Sequence, residues 1–468
     1  MKPTLTFYLL LITVALTSVH GQNYNGFDIS KYYTPDIKRN QLDLTLSGSE
    51  RYLNNEMEER KSNDLNGDFN ASISHFTHTR KRYSSWGIGL TAEGSKSKYE
   101  TDRQITRYSI FAPELSLSTQ QRFYNPRNQF ILLSGFARGK DLKMNNLIER
   151  FNPTGENEKN EERTKVYNYL IDAEIGLGKG RLESVEDARQ AVYIIENLSK
   201  RGVLSRKLTD DEIFTLSQLI STVKNKRFFD SRLHRIEEIS AVDSFFVKND
   251  LLEKNNAPYF TTLYDYWEYG ALFERLSGKQ FKSSVSTEMQ HSKYDIFLND
   301  ENTYHDKNNF ANFHWVNEFS YEKPVNLFLQ NSISATLRIS RLQRLPLLTE
   351  LIDYKSRNMH YSLLGSYGWS YYPNSRTRMS AGLDQRIGFV SISSFEGKRT
   401  FDNGGKFFTS SSSIGGQIDY YISPQLRFSA SAGTMVGYQK GRIHKEDEKT
   451  SYLLTNLSGS FNLIYSIY

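Results

Sequence analysis

The feature that most constrains this chain is a two-residue alternation of apolar and polar side chains, sustained over unusually long stretches. From Val325 the odd positions read Val325, Leu327, Leu329, Asn331, Ile333, Ala335, Leu337 and Ile339, while the even ones carry Asn326, Phe328, Gln330, Ser332, Ser334, Thr336, Arg338 and Ser340. Leu426, Phe428, Ala430 and Ala432 alternate with Arg427, Ser429, Ser431 and Gly433 in the same way, as do Tyr361, Leu363, Tyr367 and Trp369 with Ser362, Ser366, Gly368 and Ser370. A period of two belongs to a β-strand with one oily and one wet face. Many of these stretches run for roughly 12–16 residues, well beyond the ~5–6 of a soluble strand and enough for the ~9–11 of a tilted membrane strand.

Fourteen such strands can be traced: six between 40–48 and 164–178, and eight between 280–296 and 451–468. An even number suits a single-chain antiparallel barrel, in which short turns at one rim alternate with longer loops at the other. Short connections built on Pro or Asn fall at 123–128, 322–324, 372–375 and 423–424. Long charged ones start at Gly139, Leu298 and Lys440, and the stretch 139–165 alone holds twelve charged residues. With both termini in the periplasm, every short turn falls on the periplasmic side and every long loop outside. The fold expected is mainly β: an antiparallel transmembrane barrel of about fourteen strands.

Met1 and Lys2 precede an apolar run to Val19 with Gly21 before Gln22, the layout of a secretory leader over 1–21. The absence of cysteine removes disulfides, thiolate metal sites and a lipid-anchored lipoprotein. Aromatic residues at 13% argue against disorder. Bases outnumber acids by 59 to 53 but are scattered, so no nucleic-acid stripe is expected. No later window offers the ~20 apolar residues of a spanning helix.

Between strands six and seven the period becomes helical. Ala188, Ala191, Val192, Ile195 and Leu198 share one face after a capping-box spacing at Ser184 and Asp187, and Gly202 can end that helix. A second helix opens at Thr209 with Glu212 in the capping position and carries Ile213, Leu216, Ile220 and Val223. A third starts near Ser231 with Leu233, Ile236, Ile239 and Val242. A fourth, over about 258–276, is rich in aromatics that suit either a bundle core or a membrane interface. The expected organisation is a leader (1–21), an N-terminal periplasmic segment (22–39), strands one to six (40–178), a periplasmic helical insertion (182–278) and strands seven to fourteen (279–468). Gly176, Gly178 and Gly180 on one side and Ser277–Gly278 on the other offer hinges for the insertion.

The stretch GLGKGRLESVEDARQAVYIIENLSKRG from Gly176 and KYYTPDIKRNQLDL from Lys31 resemble segments of uncharacterised outer-membrane barrels of the Bacteroidota type. The final FNLIYSIY, closing on Tyr468, resembles the carboxy-terminal recognition signal of outer-membrane barrels. The resemblance implies a Gram-negative outer-membrane location and the barrel-assembly machinery as a biogenesis partner. It brings no activity.

No catalytic, cofactor or metal site is legible. The Gly176–Arg181 stretch lacks the Ser or Thr of a phosphate loop. His75 and His78 fall on opposite strand faces as turn-surface residues. His314 shares a face with Glu318 without a nucleophile motif, and Asp300, His305 and Asp306 are ordinary loop residues. The alternation does select a set of inward charges: Glu114, Asp172, Glu174, Glu288, Glu318, Arg338, Asp384, Arg386, Asp419 and Arg427. Facing lipid, an Arg at the midplane would cost about 2–4 kcal/mol. Lining a lumen, they make a hydrated interior of mixed sign. The expected function is a narrow or gated channel for small polar solutes with a periplasmic helical cap. The rival expectation is a structural protein whose barrel, set in outer-membrane lipid, anchors a helical domain that binds a periplasmic protein or peptidoglycan.

Overall fold

The computed structural model describes residues 26–55, 60–151, 158–226, 235–345, 354–396, 405–442 and 449–465. The expected leader, Ser231 and Leu233 of the third helix, and Tyr468 lie outside them. Fourteen strands are present: β1 (Ile37–Asn55), β2 (Arg60–His78), β3 (Arg82–Thr101), β4 (Gln104–Tyr124), β5 (Gln129–Arg150), β6 (Glu158–Ser184), β7 (Leu276–Leu298), β8 (Glu301–Pro324), β9 (Leu329–Leu345), β10 (Tyr354–Asn374), β11 (Thr377–Glu396), β12 (Gly405–Tyr421), β13 (Leu426–Arg442) and β14 (Thr450–Tyr465). Between β6 and β7 stand α1 (Glu186–Lys200), α2 (Asp210–Asn225), α3 (Arg235–Lys248) and α4 (Ala257–Tyr269). The strands form one antiparallel sheet in sequence order, the up-and-down meander of a membrane barrel.

Register keeps the alternation in phase across the sheet. Leu42 pairs with Ile73, then Ile88, Leu117, Ala137, Ile171 and Met289 follow strand by strand in one apolar row. These side chains are exposed, Ile171 by 59% and Met289 by 53%. A row of large apolar groups this long does not suit water and defines a lipid-facing surface. On β10 the outward rings Tyr361 and Trp369 stand eight residues apart, or about 26 Å at ~3.3 Å per residue. With the roughly 35–45° tilt of barrel strands that separation projects to about 20 Å along the normal, within an apolar band of about 25 Å.

Two expectations about the connections between strands need correction. The long loops are largely strand: β5 continues to Arg150, β6 starts at Glu158, and β7 and β8 meet at a tight turn over Asn299–Asp300, both with positive φ. Polar strand extensions pair as well as apolar ones outside the band, and cross-strand ion pairs such as Arg107–Glu149 at 2.9 Å accompany them. Second, the turn expected at 322–324 falls at 325–328, because the Asn326 side chain accepts the amides of Phe328 and Leu329, both at 2.8 Å.

The helices pack as a bundle with its own apolar core. Ala188, Ala191, Val192, Ile195 and Leu198 of α1 are buried with Ile213, Leu216 and Ile220 of α2. Thr209 and Glu212 form the expected capping box, and Gly202 adopts φ +63° after α1. Ser184 does not cap α1, since it is still paired in β6 with Leu276. In α3 the buried face carries Glu238, Val242, Phe245 and Phe246, while Ile236 is 79% exposed. The bond from Trp267 Nε1 to Glu238 at 2.9 Å fixes that rotation. Tyr259, Leu263 and Trp267 of α4 belong to the bundle core, while Phe260 and Tyr264 are exposed.

Among the described residues no pairing joins β1 to β14, so these strands are the two edges of the sheet. Leu46 and Leu457 on them are each 82% exposed. Closure of β1 on β14 is testable because the chain has no cysteine of its own. Leu44→Cys, scanned against Leu457→Cys, Gly459→Cys, Phe461→Cys and Leu463→Cys, should give an oxidised crosslink at one register in the folded protein. No crosslink at any of the four would mean that the seam stays open.

Candidate functional site

Register places all ten sequence-selected charges on the polar face of the sheet, opposite the apolar rows. Asp172 lies across from Glu288, Glu114 from Lys140, Asp384 from Ser413 and Asp419 from Arg378. The structure gathers them into two groups and leaves Glu114 apart. On β6 to β9, Lys282 binds Glu174 at 3.0 Å and Glu318 at 3.1 Å, Asn312 donates to Glu288 at 2.7 Å, and Arg338 sits on the same face. On β11 to β13, Arg378 binds the fully buried Asp419 at 2.6 Å, Arg386 neighbours Asp384 on the strand, and Arg427 lies near the Tyr421 ring at 5.8 Å. Lys282 and Arg378 were missed in the sequence although their even positions in β7 and β11 put them on this face.

Other candidates resolve differently. His314 bonds to Ser340 Oγ at 2.8 Å, whereas Glu318 is engaged by Lys282, so the two do not pair. His305 pairs with Asp295, and Asp300 with Arg163 at 2.8 Å. His75 stacks on Trp86, while His78 is buried beside Glu183 at 3.5 Å rather than on a turn surface. Packing against the strand ends, invisible to alternation, makes that difference. Among the described residues no three His, Asp or Glu side chains gather as a metal set.

The short-turn end of the sheet is where the helical bundle attaches. Gly180 and Gly278 take φ +95° and +123°, and a Cβ on either would stand 2.0 Å from the Lys279 carbonyl oxygen or 2.2 Å from that of Arg181. The β6–β7 ribbon therefore bends here. Gly176 and Gly178 do not act as hinges; they are regular strand residues that leave room for Ser284 and for the Phe130 ring. Beyond the bend, Arg181 donates to the carbonyls of Thr79 and Arg80 in the β2–β3 turn, at 2.9 and 3.3 Å. Those contacts reach across the strands between.

On the other side the attachment is made by Arg275. Its guanidinium donates to the carbonyls of Leu327, Asn326 and Leu329 at 2.6, 2.8 and 2.8 Å and to Gln330 Oε1 at 3.1 Å. Burial, together with the Arg189 charge, pushes Arg275 down to about 9. Leu327 from the same turn enters the bundle core. Farther across, Phe273 meets the rings of Tyr421 and Tyr372 at 5.3 and 5.8 Å and lies 5.4 Å from the Arg378 guanidinium. Arg376 binds Asp265 at 2.9 Å and stacks on Tyr269 at 3.5 Å. The segment before β1 is a third tie: Phe27, Ile29 and Tyr32 are buried in the bundle core, and the Thr34 amide donates to Glu183 at 3.3 Å. Only the β1 lead-in resemblance pointed to that segment.

Comparison with known proteins finds no matching family model and no matching curated relative. Among solved structures, the translocator domain of autotransporter NalP from Neisseria meningitidis matches at 9% identity and TM-score 0.28, covering 89% of this chain and 95% of that one. The beta domain of the Bordetella autotransporter BrkA matches at 8% and 0.24, covering 83% and 99%. OmpT with loop L8 deleted, an outer membrane protein of Vibrio cholerae, matches at 7% and 0.24, covering 90% and 99%. With overlap this slight, the fold assignment rests on strand order and register.

Two outcomes follow from the attachment. Arg275→Met strips donors from buried carbonyls, at about 1–3 kcal/mol for each left bare. It should lower the urea midpoint of the helical circular-dichroism signal while the strand signal persists. Burial also pushes the Glu186 carboxyl up to about 7 from 4.5. The folded bundle therefore binds a proton that the unfolded chain releases, and its stability falls as pH rises from about 4.5 to 7. The melting temperature should drop between pH 5 and 8 by more in the wild type than in Glu186→Gln; equal drops would refute the assignment.

Proposed function

We propose that this chain is an outer-membrane channel for small polar solutes, with its short turns and helical bundle in the periplasm and its long hairpins outside. In the closed barrel the polar face becomes the lumen, lined by the ten charges and their partners Lys282 and Arg378. Fourteen strands lie between the eight that side chains fill and the sixteen that leave an open aqueous pore. A narrow, wet passage suits that size.

One observation carries the gating part of the reading. Phe273 is held by a loop rooted between β6 and β7, yet it rests against the polar-face residues Tyr372, Tyr421 and Arg378 of β10 to β12. An insertion rooted in the β6–β7 hairpin that also meets the β8–β9 turn through Arg275 and the β10–β11 turn through Asp265 and Arg376 is supported as lying over the mouth rather than hanging beside it. The bundle is therefore read as a cap on the periplasmic opening. The rival, a docking module on a closed barrel, is favoured by the exposed apolar groups Ile236, Val247 and Phe260 of α3 and α4.

Conductance in planar bilayers separates them. Replacing 182–278 with a short Asn-Gly turn should raise single-channel conductance several-fold, and Phe273→Ala should raise it less. Equal conductance in all three proteins would sink the cap and leave docking as the better account.

A further inference from the structure

The bend at Gly180 and Gly278 leaves a cleft of about 620 Å³ at the turn end of the sheet, next to the apolar face. Its floor is aromatic. Phe281 and Phe319 are cross-strand partners on the outward face and are 48% and 38% exposed. Above them stand Lys179, paired in register with Phe281, and Lys279 on the same outward positions of β7, with Arg127 contributed by the β4–β5 turn. Among the described residues none of these three cations has an ion-pair partner, although Glu183 on the same cleft neutralises Arg181 at 2.8 Å and reaches Arg80 at 3.8 Å. Ser30 of the N-terminal segment also lines the cleft.

Charge and apolar surface are thus layered in the order a lipid presents them. We infer that the cleft binds the phosphate of an anionic glycerophospholipid drawn from the periplasmic leaflet, with its acyl chains lying on Phe281 and Phe319. The inference rests on the barrel reading above, because the apolar face must meet lipid for the cleft to sit at headgroup level. Basic residues at a membrane surface attract anionic lipid. Three unpaired cations around one cavity concentrate that attraction on a single headgroup. A cavity of this size falls within the ~300–1,000 Å³ of small-molecule sites. Free phosphate shares the charged chemistry but leaves the rings unused.

The test uses the full-length protein, delipidated in detergent and titrated with phosphatidylglycerol, phosphatidylethanolamine or inorganic phosphate under native mass spectrometry. The wild type should retain phosphatidylglycerol about tenfold more tightly than phosphatidylethanolamine, and millimolar phosphate should not displace it. The triple variant Arg127→Gln, Lys179→Gln, Lys279→Gln should lose the preference. A variant with the same charge change at the opposite rim, Lys159→Gln, Lys307→Gln, Lys440→Gln, should keep it. Undiminished preference in the first variant, loss in both, or displacement by phosphate overturns the lipid site. Insertion into vesicles and heat-modifiable migration read the barrel separately. A protein that inserts but shows no preference refutes the cleft alone, whereas one that never inserts refutes the barrel reading and the cleft with it.

Discussion

The rest of this structure depends on backbone hydrogen bonding. Twelve of the fourteen strands pair on both sides, and the remaining donors and acceptors lie along the outer edges of β1 and β14. In hydrocarbon each bare group costs several kcal/mol, which is why only closed sheets cross membranes. In water the same edges would recruit foreign strands. Joining β1 to β14 satisfies both without disturbing the alternation. The even positions of β1, Leu42 to Leu46, and the odd positions of β14, Leu457 to Leu463, already carry apolar residues on the same face. Closure then turns the polar face inward, and every charge on it acquires an interior setting.

That interior dictates how the bundle can attach. A hairpin leaving the sheet at β6–β7 would run straight past the rim. The paired positive-φ glycines redirect it, and no residue with a Cβ fits against the opposing carbonyls. The docked surface is then held by arginines rather than by grease alone. Arg275 donates to three backbone carbonyls of the β8–β9 turn, and Arg189 donates to the Phe273 carbonyl at 2.7 Å. Turn carbonyls buried beneath a domain need donors, and a guanidinium supplies five in a fixed fork. The attachment is therefore directional, fixing where Phe273 rests as well as how firmly.

The sheet was legible in the sequence because alternation is a direct imprint of two different solvents on two faces. The strand number, the polar-face set from Glu114 to Arg427, and the box at Thr209 and Glu212 all follow from local patterns. What escaped was set by contacts distant in sequence. Nothing near Ile236 reveals that Trp267 rotates α3 away from it. Ser184 has capping spacing but is claimed by a ladder bond to β7. The extra strand length beyond Gly139 was hidden because outside the membrane both faces are wet, so charge density no longer distinguishes strand from loop. Gly180 and Gly278 were readable as flexible points, but only their positive φ on neighbouring strands shows a bend.

The distribution of charge on the polar face limits what a pore built from it can select. The β6–β9 sector holds Asp172, Glu174, Glu288, Glu318 and Glu322 among its carboxylates, against Lys282 and Arg338. The β11–β13 sector holds Arg378, Arg386 and Arg427 against Asp384 and Asp419. One sector is thus net acidic and the other net basic, with β10 between them. A passage of single-sign charge would concentrate counter-ions and exclude the opposite ion. The two sectors are neighbours around the sheet and carry opposite net charge, so a pore of the kind proposed above would not present charge of a single sign. Phe273 lies near Arg378 while that guanidinium is committed to Asp419. Moving Phe273 would expose an ion pair that is already neutral, so the gating proposed above would leave no unpaired charge at that ring.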